Sequence, residues 1–186
     1  MGAPTSDRIA VMLTGFAYEN GKQILWDEAY EEGENLKSTL LYYSIFRTSL
    51  KALEQNSAIR EALYNFRPHE PQKGSALIKI ELVFNKTELE RHKISYKSAE
   101  FLRTIFDLFK SYATWGEVGD QSYFGTITEI TSEVDNNTYS FYPNEVFTRS
   151  EERTHYFQSL CSGSSANRLA RHIFIFLLMK YTRTLL

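Results

Sequence analysis

The chain has 186 residues, 42% of them hydrophobic and 15% aromatic, with 13 Phe and 12 Tyr. That length and composition suffice for one domain with a sizeable core and exclude a disordered chain. A net charge of -2 and a pI near 6.1 exclude the global basic field that drives nonspecific nucleic-acid binding.

Residues 1–7 read as a flexible leader and 8–186 as a single domain. Within the leader, Gly2 with Ser6 four positions on matches the N-myristoylation pattern. One acyl chain with no polybasic patch beside it anchors only marginally. The N-terminus lacks the basic-then-apolar order of a secretory signal. No run reaches the ~18–20 apolar residues that span a bilayer. The lone cysteine, Cys161, rules out a disulfide framework and a cysteine-rich zinc site, and fits a reducing, cytoplasmic compartment.

The first elements are a hairpin and a long helix. Two apolar stretches, 8–18 and 23–26, flank Asn20-Gly21, a turn pair suited to positive φ at both central positions. Residues 34–64 read as helical, with Leu36, Leu40, Tyr43, Ile45, Phe46, Leu50 and Leu53 at helical spacing. Asn56-Ser57 marks a break or a new cap, which leaves 58–64 as a short second helix. Pro68, Pro71 and Gly74 then predict a loop over 66–74.

A strand follows over 76–84, with Ile78, Ile80, Leu82 and Phe84 on one face. The stretch around His92 reads as a charged loop. Ser98 caps a helix over 99–115 whose stripe is Phe101, Leu102, Ile105, Phe106, Phe109 and Tyr112. Residues 122–134 and 138–147 form a second hairpin around Asp135 to Asn137, rich in Thr, Tyr, Phe and Ile. Residues 151–160 and 166–183 read as helices joined by a small-residue connector. The expected fold is therefore α+β: a mixed or antiparallel sheet of about five strands, two hairpins plus one strand, packed with three to four helices.

Charge is placed unevenly. Residues 19–34 hold six carboxylates against one lysine, and from Arg149 onward six lysines and arginines stand against Glu151 and Glu152. Opposed ends of this kind favour head-to-tail docking on copies of the chain or on a partner. Asp27, Glu28, Glu31, Glu32 and Glu34 lack the converging spacing of a calcium loop and read as solvated surface. No metal site and no cofactor motif is expected: there is no glycine-rich phosphate loop and no nucleophile elbow.

Arg149, Arg153, His155, Arg168, Arg171 and His172 are the concentrated polar candidates. Histidine can move protons and arginine can stabilise a phosphorane, which together cut RNA without metal. Arg149 and His155, five residues between them, distantly resemble the Arg-x4–6-His motif of HEPN-type RNases. The resemblance is confined to that motif. It implies an all-helical bundle, whereas this chain reads as α+β, and Ser150 stands where the motif usually carries a different polar residue.

Arg67, His69, Lys79 and Glu81 only partly match a metal nuclease, because the acid–lysine order is reversed. The aromatics Tyr123, Phe124, Tyr139, Phe141 and Tyr142 sit among Glu129, Glu133, Asp135 and Glu145, which disfavours nucleic acid there. Core packing or a protein interface fits that hairpin better.

The run from Ile173 to Met179 is apolar all round its helix, which calls for central burial or a second protein surface. Phe174, Phe176, Leu177 and Leu178 are its interface candidates. The functional expectation leans away from an enzyme: a non-catalytic protein-interaction or self-assembling structural protein, a homo-oligomer with a protein partner, with nucleic acid not favoured and membrane contact only if Gly2 is myristoylated. Its alternatives are a metal-independent RNase or nucleotide-phosphate-handling protein using Arg149, His155, Arg168, Arg171 and His172, and a myristoylated, membrane-associated matrix-like protein using Gly2.

Overall fold

The computed structural model describes residues 7–25, 27, 30, 36–69, 77–119, 121–143 and 145–147. Among them an antiparallel sheet of seven strands packs with four helices, an α+β fold. The sheet is built on β1 (Arg8–Glu19), which has β4 (Leu77–Asn85) on one side and β5 (Tyr123–Val134) on the other. β3 (Leu63–Pro68) lies outside β4, and β6 (Asn137–Phe141) outside β5. Two short strands complete it: β2 (Lys22–Gln23) on β1 and β7 (Glu145–Val146) on β5.

Strand alternation sorts the two faces of the sheet. Ile9, Val11 and Leu13 pair across β1 and β4 with Phe84, Leu82 and Ile80, and all six are buried in one core. The same core takes the stripe of α4 (Ala99–Trp115), all six of whose predicted residues are buried. Ser98 caps α4 as expected, its hydroxyl accepting from the Phe101 N–H at 3.3 Å. At Gly15, β1 shifts register against β5, and a Cβ there would collide with the Thr126 carbonyl oxygen.

Both hairpins carry two-residue turns with positive φ at each central position. These are Asn20 (51°) and Gly21 (75°), and Asp135 (52°) and Asn136 (63°), the pattern of a type I′ turn. The second turn is held from outside. The Asp135 carboxylate meets Lys97 Nζ at 2.6 Å and Lys86 Nζ at 3.5 Å.

The expected sheet of five strands is too small in two places. Residues 63–68 form β3, where a helix end and a loop were expected, because pairing with β4 outweighs weak local signals. Pro68 is tolerated at the end of an edge strand, where its missing N–H breaks no central ladder. The last expected strand is split into β6 and β7 around Tyr142 and Pro143. The charged stretch after β4 is also not all loop. Lys86–Arg91 form α3, capped by Asn85 and seated on Leu89, which is fully buried. One apolar residue in six is too few to show a period.

Candidate functional site: the outward face of helix α1

α1 (Leu36–Leu53) and α2 (Ser57–Ala62) follow the first hairpin. Asn56 caps α2, its side chain accepting from the Ile59 N–H at 3.2 Å. α1 departs from its expected packing. At about 100° per residue, Leu36, Leu40, Tyr43 and Arg47 fall on one side of a helix, while Ser38, Ile45, Ser49 and Ala52 fall opposite. The structure turns the second side inward: those four are buried. Leu36, Leu40 and Tyr43 stand outward, 71%, 56% and 58% exposed.

Hydrogen bonding contributes to that orientation. The Ser122 N–H donates to Ser44 Oγ at 2.7 Å, and the Thr48 hydroxyl reaches the Ser122 carbonyl at 3.0 Å. At the far end of α1, Gln55 Nε2 donates to the Leu108 carbonyl at 2.8 Å and Gln55 Oε1 accepts from Ser111. The helix is thus tied to the start of β5 and to α4 by polar groups. An inward polar residue is costly unless bonded. Ser44 and Thr48 are bonded, Ser49 Oγ is buried without a hydrogen bond among the described residues, and Ile45, Ala52 and Leu53 add apolar burial on the same side.

The outward side is relieved by two cavities. One, of about 530 Å³, lies between α1 and the first hairpin and is lined by Ile24, Leu40, Ser44, Arg47 and Gln121. The other, of about 600 Å³, lies between α1 and β3 and is lined by Tyr42, Phe46, Phe66, Pro68 and His69. Tyr30 and Tyr43 line both, so Tyr43 forms a ridge between two hollows. Phe46 and Phe66 meet edge-on in the second, ring centroids 5.1 Å apart.

The charges of this face are arranged along the helix. Near its start, Lys37 bonds the Asp27 carboxylate, which raises the lysine's pKa. Lys37 Nζ also stands 5.3 Å from the centre of the Tyr30 ring. Burial pushes the Tyr30 hydroxyl up, an effect Lys37 partly offsets. A turn beyond Tyr43, the Arg47 guanidinium lies 5.9 Å from that ring's centre. α1 holds three cations and no carboxylate along its 18 residues.

Several other sequence candidates are placed. Arg67 and His69 converge on Glu81, at 3.3 Å and 3.9 Å from its Oε2, because β3 pairs with β4 in that register. The grouping gives one acid shared by two bases. His92 is not isolated: its Nε2 lies 3.0 Å from Glu61 Oε2, and Arg91 reaches the same oxygen at 3.1 Å. In the aromatic hairpin, Tyr123 and Phe124 are core, Phe141 packs edge-on against Phe106 and Tyr142 is exposed. Among the described residues no three His, Cys, Asp or Glu side chains are grouped to hold a metal, and no helix is long and apolar enough to cross a membrane.

The remaining candidates lie outside the described residues. These are Gly2, the catalytic set Arg149, His155, Arg168, Arg171 and His172, and the interface set Phe174, Phe176, Leu177 and Leu178. Of the acidic segment, Glu28, Glu31, Glu32 and Glu34 also lie outside, while Asp27 is described. No protein-family model, curated protein or solved structure matches this chain.

Proposed function

We propose that this chain is a non-catalytic protein-interaction domain that associates with copies of itself, and that the outward face of α1 is a contact surface for that association. The observation that supports this reading is the line of Leu36, Leu40 and Tyr43, all more than half exposed on a helix whose inward side already carries Ile45, Ala52 and Leu53 with Ser38, Thr48 and Ser49. Burying a large apolar side chain is worth about 1.5–3 kcal/mol, so leaving three in line in water forgoes a gain that a partner surface restores. The hollows beside Tyr43 suit interdigitation, since packed helices set ridges into grooves.

Size-exclusion chromatography with light scattering tests the reading. The wild type is expected as a dimer or larger at micromolar concentration. Tyr43→Glu should give a folded monomer with an unchanged melting curve. Phe174→Glu probes the C-terminal apolar run in the same assay. A wild type that stays monomeric overturns self-association. An assembly that Phe174→Glu dissolves and Tyr43→Glu leaves intact overturns the role of α1.

A further inference from the structure

We infer that two copies of this chain pair through α1 in antiparallel register about a two-fold axis, with Arg47 of each copy on Asp27 of the other. The inference rests on the self-association reading above and adds the surface and its geometry. A closed two-fold contact uses one patch twice, so each end of the patch must fit the other end. α1 meets that condition. Leu40 and Tyr43 lie at the centre of the outward patch of residues 36–47, Arg47 at its C-terminal end, and at its start Lys37 holds the Asp27 carboxylate.

The sign of the charges selects the direction. A parallel pair would set Arg47 on Arg47 and Lys37 on Lys37, with no carboxylate in α1 to separate them. An antiparallel pair centred between Leu40 and Tyr43 sets Arg47 level with residue 36 of the other copy. Each lies about 8 Å from the centre along the axis, at 1.5 Å per residue. That level is the turn where Lys37 bonds Asp27. The Asp27 side chain is 41% exposed, and a carboxylate accepts from more than one cation. It can therefore bridge Lys37 of its own chain and Arg47 of the other. Among the described residues Arg47 makes no ion pair, so the pairing supplies an opposite charge that the single chain does not. Leu40 and Tyr43 of each copy then face the hollows beside Tyr43 of the other.

A charge-swap mixture tests this register. Arg47→Glu puts two acid–acid contacts in its own dimer, and Asp27→Arg puts two base–base contacts in its own. Each variant alone should bind itself about tenfold more weakly or worse. Mixed one to one, they restore both opposite-charge contacts, and light scattering should return the wild-type dimer mass. If both variants weaken and the mixture stays monomeric, the pairing of Arg47 with Asp27 is wrong. If the wild type dimerises and neither variant changes it, the α1 register fails while self-association stands. A monomeric wild type removes both. Should Asp27→Arg fail to fold, the register is read by oxidising Leu40→Cys mixed with Tyr43→Cys, each in a Cys161→Ser background. A disulfide-linked heterodimer supports the register, and its absence in a dimeric mixture refutes it.

Discussion

Helices α1 and α4 carry the same kind of signal and use it in opposite directions. In α4 the apolar stripe is all core: Phe101, Leu102, Ile105, Phe106, Phe109 and Tyr112 are buried against the sheet. In α1 the apolar residues Leu36, Leu40 and Tyr43 face out, and Ser38, Thr48 and Ser49 face in beside Ile45, Ala52 and Leu53. A helical period locates a face and leaves its direction open. Direction is decided by what the opposite face can satisfy, and here the bonds from Ser44 and Thr48 to Ser122 decide it together with the burial of Ile45, Ala52 and Leu53. The contrast separates a helix that holds the fold from one that presents a surface.

The comparison breaks most sharply at Ile105, which is fully buried in α4. Ile105→Ala should cost about 2–5 kcal/mol in chemical denaturation, as large-to-small core changes do. A loss under 1 kcal/mol, roughly the effect of a surface change, would mean that α4 is not the structural helix. Thr48→Val tests the orientation of α1. Removing the hydroxyl bonded to the Ser122 carbonyl should cost about 0.5–1.5 kcal/mol in the same assay. Leu40→Ser sharpens the other side of the contrast. It should shift stability by no more than about 0.5 kcal/mol while weakening self-association, and a larger loss of stability would place Leu40 in the core.

The smallest expected effect is a pH dependence at the second hairpin. The hydrogen bond from Lys97, with Lys86 nearby, holds the Asp135 carboxyl below the usual carboxylate range. A depressed carboxylate contributes stability above its unfolded value of about 4 and loses it as pH falls through the folded value. Asp135→Asn should therefore be slightly less stable than wild type above about pH 4, where the charged carboxylate contributes, and converge with it in acid, which flattens the acid side of the profile. A profile identical to wild type would show that the lysine contacts carry no linkage.

Features with a local cause were legible in the sequence. The caps Asn56 and Ser98, the Asn20-Gly21 turn, the alternating strand at β4 and the α4 stripe each depend on neighbours within a few positions. β3 was not legible, because its identity comes from pairing with β4 and not from its own alternation. The convergence of Arg67 and His69 on Glu81 is not legible as a contact for the same reason, since it follows from the β3–β4 register. The outward face of α1 was half legible: its spacing was plain, and its direction depended on a hydroxyl contact with Ser122, 74 positions away from Thr48. Gly2 and the site candidates beyond Phe147 lie outside the described residues, so the candidate surface rests on α1.

The central position of β1 sets an order of events during synthesis. It is made first among the strands, yet its partners are residues 77–85 and 123–134, joined to it from Arg8↔Asn85 and Ala10↔Glu133. At about 5–20 residues per second, β1 waits roughly 6–23 s for the whole of β5 to be made. Until β4 is made, a strand carrying Ile9, Val11 and Leu13 has two unpaired edges, and until β5 is made it keeps one, a template for pairing with another nascent chain. The same long-range pairing places refolding toward the slow end for a domain of this size. The strand that ends as the best-protected part of the sheet is thus the one most exposed on the way there, and brief shielding by a chaperone would improve the yield of folded protein.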